Sequence, residues 1–279
     1  MLRNPVEDIG EKMLQNLSLD GKTVVITGAG TGLGREMALA MARAGADLVI
    51  GARRMGPIEE VASLVRDMGR RAKSVSVDVT DSTQVNALIH AALDEFGVVD
   101  VLLNNAGIVR GHGAVPIWDI TDDDWRLGID TNMTGSFYAS RAVAKHMVER
   151  GKGKIINVSS GYGMRGGRDT YMYSCGKGGI VQLTRTLAIS LGRYGVTSNC
   201  IVPGFLPTEG TDESREHLPQ GRFIPIGRVG DPAEMGPVAV FLASAASDYM
   251  NGEFFIIDGG GLAGGYVPTG YAPDISLEV

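Results

Sequence analysis

The stretch that most constrains the fold is KTVVITGAGTGLG, from Lys22 to Gly34. Its first half, Thr23 to Thr27, is a short β-branched run of the kind found in buried strands. Its second half is rich in glycine, and helical periodicity begins at Arg35. The stretch therefore predicts a strand that runs through a glycine turn into a helix. Free backbone N–H groups and the helix dipole at such a place suit a pyrophosphate.

The glycine spacing differs from the dinucleotide fingerprint G-x-G-x-x-G, because Leu33 occupies the sixth position counted from Gly28. The pattern is instead Gly28-x-x-x-Gly32-x-Gly34. A purely structural turn would need no ligand. The strand before the turn and the helix after it nevertheless favour nucleotide binding.

The rest of the chain repeats this alternation of strand and helix. Further strands are predicted at 46–51, 72–77, 98–103, 154–159, 196–202 and 253–257. Further helices are predicted at 57–68, 81–96, 121–150, 171–194 and 231–243, with a short one near 6–17. This rhythm predicts an α/β fold: a single doubly wound, Rossmann-like parallel sheet of seven strands with helices on both faces. Ligands should then bind beyond the carboxyl ends of the strands.

The charge and the residue composition exclude several classes of function. A net charge of −6 argues against nucleic acid or an anionic membrane as the main partner. The two cysteines do not suggest a disulfide framework, and the four histidines show no metal-ligand spacing. Residues 1–20 lack the apolar core of a signal peptide, and no stretch approaches the ~20 apolar residues of a membrane span. We expect a cytoplasmic protein with a small-molecule substrate and no metal.

The residues after the second predicted strand bear on the choice of cofactor. In doubly wound folds an acid there, ~20 residues after the glycine turn, binds the 2′-hydroxyl of the adenosine ribose. This chain has Arg53 and Arg54 instead. A guanidinium pairs with a 2′-phosphate, whereas a carboxylate would repel it. The pair therefore favours NADP, with NAD possible if the two arginines are only solvated.

Two residues in the second half of the chain have the spacing of an acid–base pair. Tyr173 and Lys177 lie four positions apart in a predicted helix, on one face and a turn apart. A free tyrosine has a pKa near ~10, and about 4 kcal/mol of preference for the phenolate would bring it to ~7. One ammonium ~4 Å away supplies about that much, before desolvation reduces it. The spacing alone is also common on solvated helix faces.

Four motifs occur together in order: the glycine turn, Asn104-Asn-Ala-Gly107 after the fourth strand, Ser160 at the end of the fifth, and Tyr173-x-x-x-Lys177. Over about residues 20–260 the chain resembles the short-chain dehydrogenase/reductase family. The resemblance implies an NAD(P)-dependent oxidoreductase that interconverts a secondary alcohol and a ketone. It also implies a homotetramer.

The resemblance assigns roles to individual residues. Tyr173 would exchange a proton with the substrate oxygen, Lys177 would hold the nicotinamide ribose and lower the pKa of Tyr173, and Ser160 would hydrogen-bond that oxygen. Asn132 would position a water for proton relay, and Ser159 would be structural. Asp78, beside Val79, would contact adenine, and Pro203, Gly204 and Thr208 would bind the carboxamide. The whole predicted cofactor set is Gly28, Thr31, Gly32, Leu33, Gly34, Arg53, Arg54, Asp78, Val79, Asn105, Ala106, Gly107, Tyr173, Lys177, Pro203, Gly204 and Thr208.

The predicted substrate pocket is edged by the segment 161–169 and by a Pro- and Gly-rich lid at 204–230 that carries Phe205-Leu206-Pro207. Arg165 and Arg168 of the first segment, with Arg110 and His112 after the fourth strand, could meet an oxygen-rich or anionic substrate, unless they are only solvated. We therefore favour a polar hydroxylated substrate such as a sugar or sugar acid, with a 3-oxoacyl thioester as the alternative. A non-catalytic nucleotide sensor, and a lyase or epimerase with bound cofactor, are alternatives of other classes.

The predicted organisation is a lead-in at 1–20, one catalytic domain at 21–261 and a tail at 262–279. The tail has aromatic and proline residues, unlike a purely solvating segment. We expect it to contact a neighbouring subunit, with simple disorder as the alternative.

Overall fold

Parallel strands form one seven-stranded sheet in the computed structural model, which describes residues 14–108, 116–209 and 220–264. The strands are β1 (Thr23–Thr27), β2 (Asp47–Ala52), β3 (Ala72–Ser76), β4 (Val101–Asn104), β5 (Gly153–Val158), β6 (Val196–Pro203) and β7 (Phe254–Ile257). Their order is β3-β2-β1-β4-β5-β6-β7, and every pair is parallel. The predicted sheet is confirmed. The order reverses between β1 and β4, so a crevice forms at their carboxyl ends.

The helices connect these strands. They are α1 (Gly32–Arg43), α2 (Met55–Asp67), α3 (Ser82–Phe96), α4 (Asp122–Ile129), α5 (Gly135–Arg150), α6 (Gly161–Met164), α7 (Tyr171–Leu191), α8 (Met235–Ala243) and α9 (Gly261–Gly264). Two of these helices have side-chain caps: the Asp81 carboxylate accepts from the first turn of α3, and the Thr121 hydroxyl accepts from that of α4. Residues 14–17 are helical, and the rest of the predicted 6–17 helix lies outside the described residues.

The hydrophobic core is divided by the sheet into two layers. Val24 and Ile26 of β1 pack with α1, α2 and α8 on one face, whereas Val25 packs with α3 and α5 on the other. All three side chains are fully buried. Adjacent side chains of a strand point to opposite faces, so an uninterrupted apolar run fits a sheet covered on both sides.

The predicted helix at 121–150 is not uniform. Between α4 and α5, residues Asp130–Thr134 form a π-helical turn, while the backbone angles on either side stay helical. The Asn132 side-chain amide donates to the Gly128 carbonyl, four residues earlier, at 3.0 Å. This bond occupies an acceptor that the regular helical ladder would use, and it accompanies the wider turn. Hydrophobic periodicity carries no signal for such a turn, so the sequence predicted one continuous helix.

Among the helices in the described ranges, none combines the length and the apolar character that crossing a membrane requires. In the predicted lid, residues 204–209 are irregular and Gln220–Phe223 form a short 3₁₀ turn, while 210–219 lie outside the described residues. The lid is attached to the sheet through backbone hydrogen bonds from Gly204 to Ile257 and from Ile226 to Gly259.

Candidate active site

The glycine turn between β1 and α1 leaves no room for side chains. Gly28 has φ +69°, and a Cβ there would lie 2.7 Å from the Ala106 Cα. A Cβ at Gly34 would clash with the Gly28 carbonyl and with the Asn105 amide. That amide donates to the carbonyls of Thr27 at 3.2 Å and Gly28 at 2.9 Å. The backbone is thus held open toward the crevice, as close approach to a phosphate requires.

Asn105 also has a structural role, which the sequence did not reveal. Its backbone N–H and that of Ala106 both donate to the Thr27 hydroxyl at 3.2 Å. Together with its side-chain bonds, these contacts tie the end of β4 to the end of β1. The residue predicted to line the cofactor crevice therefore also fixes the shape of the glycine turn.

The loop after β6 approaches the same turn. Gly32 has φ +57°, and a Cβ there would lie 3.2 Å from the Thr208 methyl group. Gly204 follows Pro203 and packs so closely on β7 that a Cβ would lie 2.6 Å from the Asp258 Cα. The structure thus brings Thr208 and the glycine turn together, although about 175 residues separate them in the chain.

The predicted adenosine side of the crevice lies at the ends of β2 and β3. Arg53 and Arg54 directly follow β2, and both are exposed. After β3, the Asp78 carboxylate accepts from the Thr80 backbone N–H at 2.9 Å and from its hydroxyl at 2.8 Å. Val79 is buried against α5. Of the turn residues, Thr31 precedes the first turn of α1 in an extended conformation, and Leu33 packs on the core.

Asn132 is fixed at the centre of the site. It is 1% exposed. Its side-chain oxygen accepts from the Ile108 N–H, and its amide donates to the Ile108 carbonyl, both at 3.0 Å. A Cβ at Gly107 would lie 2.9 Å from this oxygen and 3.1 Å from the Lys177 Nζ. The predicted residues Gly107, Asn132 and Lys177 are therefore neighbours.

Lys177 is a buried cation, 4% exposed. Its ammonium donates to the Val158 carbonyl at 2.9 Å. Burial lowers its pKa to about 8. The Ser159 hydroxyl donates to the Lys177 carbonyl at 2.8 Å, which agrees with the structural part expected for Ser159.

Tyr173 and Ser160 face each other across the end of β5. The Ser160 hydroxyl accepts from the Tyr162 N–H at 3.2 Å and so caps α6. Burial raises the pKa of the Tyr173 phenol, and a hydrogen bond with Ser160 opposes this increase. The Lys177 ammonium lies 5.9 Å from the centroid of the Tyr173 ring.

The direction of the Tyr173 shift differs from the sequence-based expectation that a neighbouring ammonium brings the phenol toward neutrality. Desolvation disfavours the phenolate, and it outweighs the one opposing contribution, which is the hydrogen bond with Ser160 rather than the charge of Lys177. At neutral pH the phenol is therefore protonated, which suits a proton donor.

A cavity of about 310 Å³ lies above Ser160. Its described wall comes from α6, from the loop after β6 and from the 3₁₀ turn of the lid: Ser160, Gly161, Tyr162, Arg165, Pro203, Gly204, Phe205, Phe223 and Ile224. This confirms that the 161–169 segment edges the pocket. Arg168 is outside this wall, with a side chain 96% exposed. Arg110 and His112 lie outside the described residues.

Three wall residues were predicted only as parts of longer segments: Tyr162 within 161–169, and Phe223 and Ile224 within the lid at 204–230. Phe223 and Ile224 come from the far end of the lid, and Tyr162 stacks edge-on against Tyr173 with ring centroids 6.4 Å apart. An apolar pair within a stretch otherwise rich in charge was an available signal for Phe223 and Ile224. Of the predicted apolar run in the lid, Phe205 lines the cavity, whereas Leu206 packs on the core.

A Rossmann-like sheet with a Tyr–Lys pair and a serine at its carboxyl edge defines a nicotinamide-dependent dehydrogenase or reductase. Residues 22–219 match the family model described as short chain dehydrogenase. The chain belongs to this family. It is an NAD(P)-dependent alcohol dehydrogenase/ketoreductase.

Within this family, the chain is similar to dehydrogenases and reductases of two substrate classes. The chain is 40% identical over 257 residues to 2-dehydro-3-deoxy-D-gluconate 5-dehydrogenase of Escherichia coli K12, covering 90% of this chain and 99% of that one. It is 36% identical over 245 residues to 3-oxoacyl-[acyl-carrier-protein] reductase of Synechocystis, covering 87% and 98%. Among solved structures, gluconate 5-dehydrogenase from Burkholderia cenocepacia in complex with NADP and tartrate matches with TM-score 0.82 and 36% identity, covering 90% and 98%.

Proposed function

We propose that the protein interconverts an alcohol and a ketone of a sugar acid, with Tyr173 as the acid–base group. The observation that carries this proposal is the cluster of phenol, hydroxyl and ammonium beneath the cavity. Ser160 lines the cavity, Tyr173 hydrogen-bonds Ser160, and Lys177 lies beside Tyr173. A non-catalytic nucleotide sensor would not need these three groups to meet beneath a cavity.

The glycine turn fits a nicotinamide dinucleotide, because glycines let it pack closely on Ala106, Asn105 and Thr208 and bring its backbone N–H groups to the crevice. When bound, the nicotinamide supplies or accepts the hydride. The crevice between the turn and the Thr208 loop would hold the dinucleotide. Lys177 would reach the nicotinamide ribose from the floor of the site, where its Nζ lies beside Gly107.

The protonation state of Tyr173 determines how a proton moves between its phenol and the substrate oxygen. In reduction the protonated Tyr173 phenol donates a proton to the carbonyl oxygen as that oxygen gains negative charge, while the Ser160 hydroxyl hydrogen-bonds it. In oxidation the same phenol must first lose its proton, and burial makes this loss harder. Asn132 would position a relay water. Its side-chain amide is held by hydrogen bonds to the Ile108 and Gly128 carbonyls, which supports this role.

NADP is the proposed cofactor, with NAD as the alternative. Arg53 and Arg54 are exposed at the carboxyl end of β2, where a 2′-phosphate would lie. The Burkholderia cenocepacia relative is in complex with NADP. Titration of NADPH and NADH into the wild-type protein and an Arg53→Ala/Arg54→Ala variant tests this. We expect the variant to lose roughly tenfold or more in NADPH affinity and little in NADH affinity. Equal loss for both would contradict the assignment.

The first substrate choice is a sugar acid such as gluconate or 2-dehydro-3-deoxy-D-gluconate, on which relatives act. The second is a 3-oxoacyl thioester, which is supported by the Synechocystis relative. Turnover of both classes should be followed by the absorbance of reduced nicotinamide at matched concentrations. Turnover of acyl thioesters alone would reverse the order. Conversion of a sugar acid without any net absorbance change would indicate an epimerase or lyase.

We further propose a cytoplasmic homotetramer. Large apolar side chains are exposed on α4 and α5 (Trp125, Phe137) and near the β7 edge (Ile189, Tyr249, Ile256). Such surfaces favour association between subunits. Sedimentation should give a species of four 29.5 kDa chains, and a monomer at micromolar concentration would contradict the proposal. The subunit contact expected of the tail at 262–279 stays a prediction: residues 262–264 belong to α9, and 265–279 lie outside the described residues.

A further inference from the structure

The cavity above Ser160 has a single formal charge on its described wall. That charge is the Arg165 guanidinium. The other described wall residues are neutral, and four of them, Pro203, Phe205, Phe223 and Ile224, are apolar. A cation on an otherwise uncharged wall gives the cavity one recognition group for an anion.

Arg165 is close to the reacting end of the cavity along the chain. Ser160 and Arg165 flank the one-turn helix α6, at its N-cap and C-cap. The Arg165 N–H donates to the Gly161 carbonyl at 3.1 Å, which closes the turn. Ser160 and Arg165 both line the cavity, on either side of one helical turn, so a short substrate in the cavity can contact both.

The guanidinium is placed by an aromatic contact. Its Cζ lies 5.6 Å from the centroid of the Tyr162 ring, a cation–π distance. The Tyr162 ring in turn stacks edge-on against Tyr173. The Tyr162 ring thus contacts both the Arg165 guanidinium and the Tyr173 ring. These two contacts fix the guanidinium relative to the acid–base residue.

We infer that Arg165 binds the carboxylate of the substrate and thereby selects sugar acids over neutral polyols and ketoses. This inference rests on the proposed function, because it assigns the acid group of the proposed substrate to one residue. A planar guanidinium pairs with a carboxylate through two parallel hydrogen bonds. Arg165 is exposed, so solvent screens the charge, and the selection of a carboxylate rests on the geometry of the two parallel hydrogen bonds. Arg168, three residues later, lies outside the cavity wall and serves as a matched control.

The test compares D-gluconate with D-gluconamide, which has the same carbon chain without the charge. For Arg165→Gln we expect KM for gluconate to rise about tenfold or more, since charged hydrogen bonds contribute on this scale. We expect kcat to change less than threefold, and the constants for gluconamide to match those of wild type. Arg165→Lys should give an intermediate KM, because it keeps the charge and loses the fork. Arg168→Gln should leave the discrimination between the two substrates unchanged.

Two outcomes overturn the inference. One is an unchanged gluconate KM in Arg165→Gln, and the other is an equal rise for gluconate and gluconamide. Thermal unfolding of each variant verifies that the fold is retained.

A binding measurement separates this inference from the proposed function. Gluconate is titrated calorimetrically into protein saturated with NADPH, where no hydride can be accepted. Binding by wild type that weakens tenfold in Arg165→Gln supports the carboxylate site even if gluconate is not turned over, and only the proposed function then fails. Turnover of gluconate with equal affinity in both proteins refutes the inference alone. No binding and no turnover refutes both.

Discussion

Replacing Lys177 by methionine should stabilise the fold at neutral pH while abolishing activity. The ammonium is buried, and its pKa is lowered from 10.5 to about 8. At 1.36 kcal/mol per pKa unit, keeping the charge in the folded state costs about 3 kcal/mol below pH 8. Methionine removes this cost but leaves the Val158 carbonyl without its ammonium donor, a loss of about 1–2 kcal/mol. The net gain in free energy of unfolding is then about 1–2 kcal/mol at pH 7.

The pH dependence gives a sharper version of the same test. Between pH 8 and 10.5 the unfolded chain still binds the Lys177 proton, whereas the folded protein has lost it. Unfolding then takes up a proton, so wild-type stability increases with pH across this window. The methionine variant lacks this increase. Its advantage should therefore shrink from pH 8 upward and reach zero or reverse by about pH 10.5.

The assay is urea unfolding followed by circular dichroism at several pH values. Because Tyr173 also titrates at high pH, the comparison uses Tyr173→Phe with and without Lys177→Met. Lys152→Met, at an exposed position, is the matched control and should change stability by less than about 0.5 kcal/mol. A methionine variant less stable than its parent at pH 7, or an advantage that does not depend on pH, would refute the reasoning.

Further predictions concern the remaining parts of the site. Tyr173→Phe should lower kcat by about a thousandfold without changing NADPH affinity. The control variant Tyr171→Phe should retain activity. Normal turnover by Tyr173→Phe would refute the assignment of Tyr173 as the acid–base residue. Because the Tyr173 pKa is raised, the rate of alcohol oxidation should increase with pH beyond neutrality, whereas the rate of ketone reduction should stay level. A pH–rate profile in each direction measures both. Gly34→Ala should clash with Gly28 and Asn105 and weaken NADPH binding measured by titration, whereas Gly56→Ala, with no atom within 4 Å, should not. Asn132→Ala removes three hydrogen bonds of a buried side chain and should lower the free energy of unfolding by about 2–4 kcal/mol, measured in urea. A loss below about 1 kcal/mol would contradict a positioning role for Asn132.

Features set by neighbours in the chain could be predicted from the sequence. The strand–turn–helix at the glycine turn depends on β-branched residues followed by glycines within a dozen positions. The Asp81 and Thr121 caps are contacts over two or three residues. The rhythm of apolar segments then determined the parallel sheet, since alternating strands and helices bury their apolar faces in few other ways.

Features set by distant parts of the chain could not be predicted. The π-helical turn at Asn132 accompanies bonds to Gly128 and to Ile108, 24 residues away. The apolar wall from Phe223 and Ile224 depends on how the segment 220–227 packs on Gly259 and Gly260, after β7. The direction of the Tyr173 pKa was also missed, because the sequence shows that Lys177 is near but not how much water is excluded.

The sequence by itself determined the order of the elements and the candidates for acid–base chemistry, because helix and strand periodicity and the four-residue spacing are local. Only the tertiary structure decided the direction of the Tyr173 pKa shift, the turn that holds Asn132, and that Arg165 rather than Arg168 lies on the cavity wall. These depend on desolvation and on contacts between segments far apart in the chain, and neither is written in any short stretch of residues.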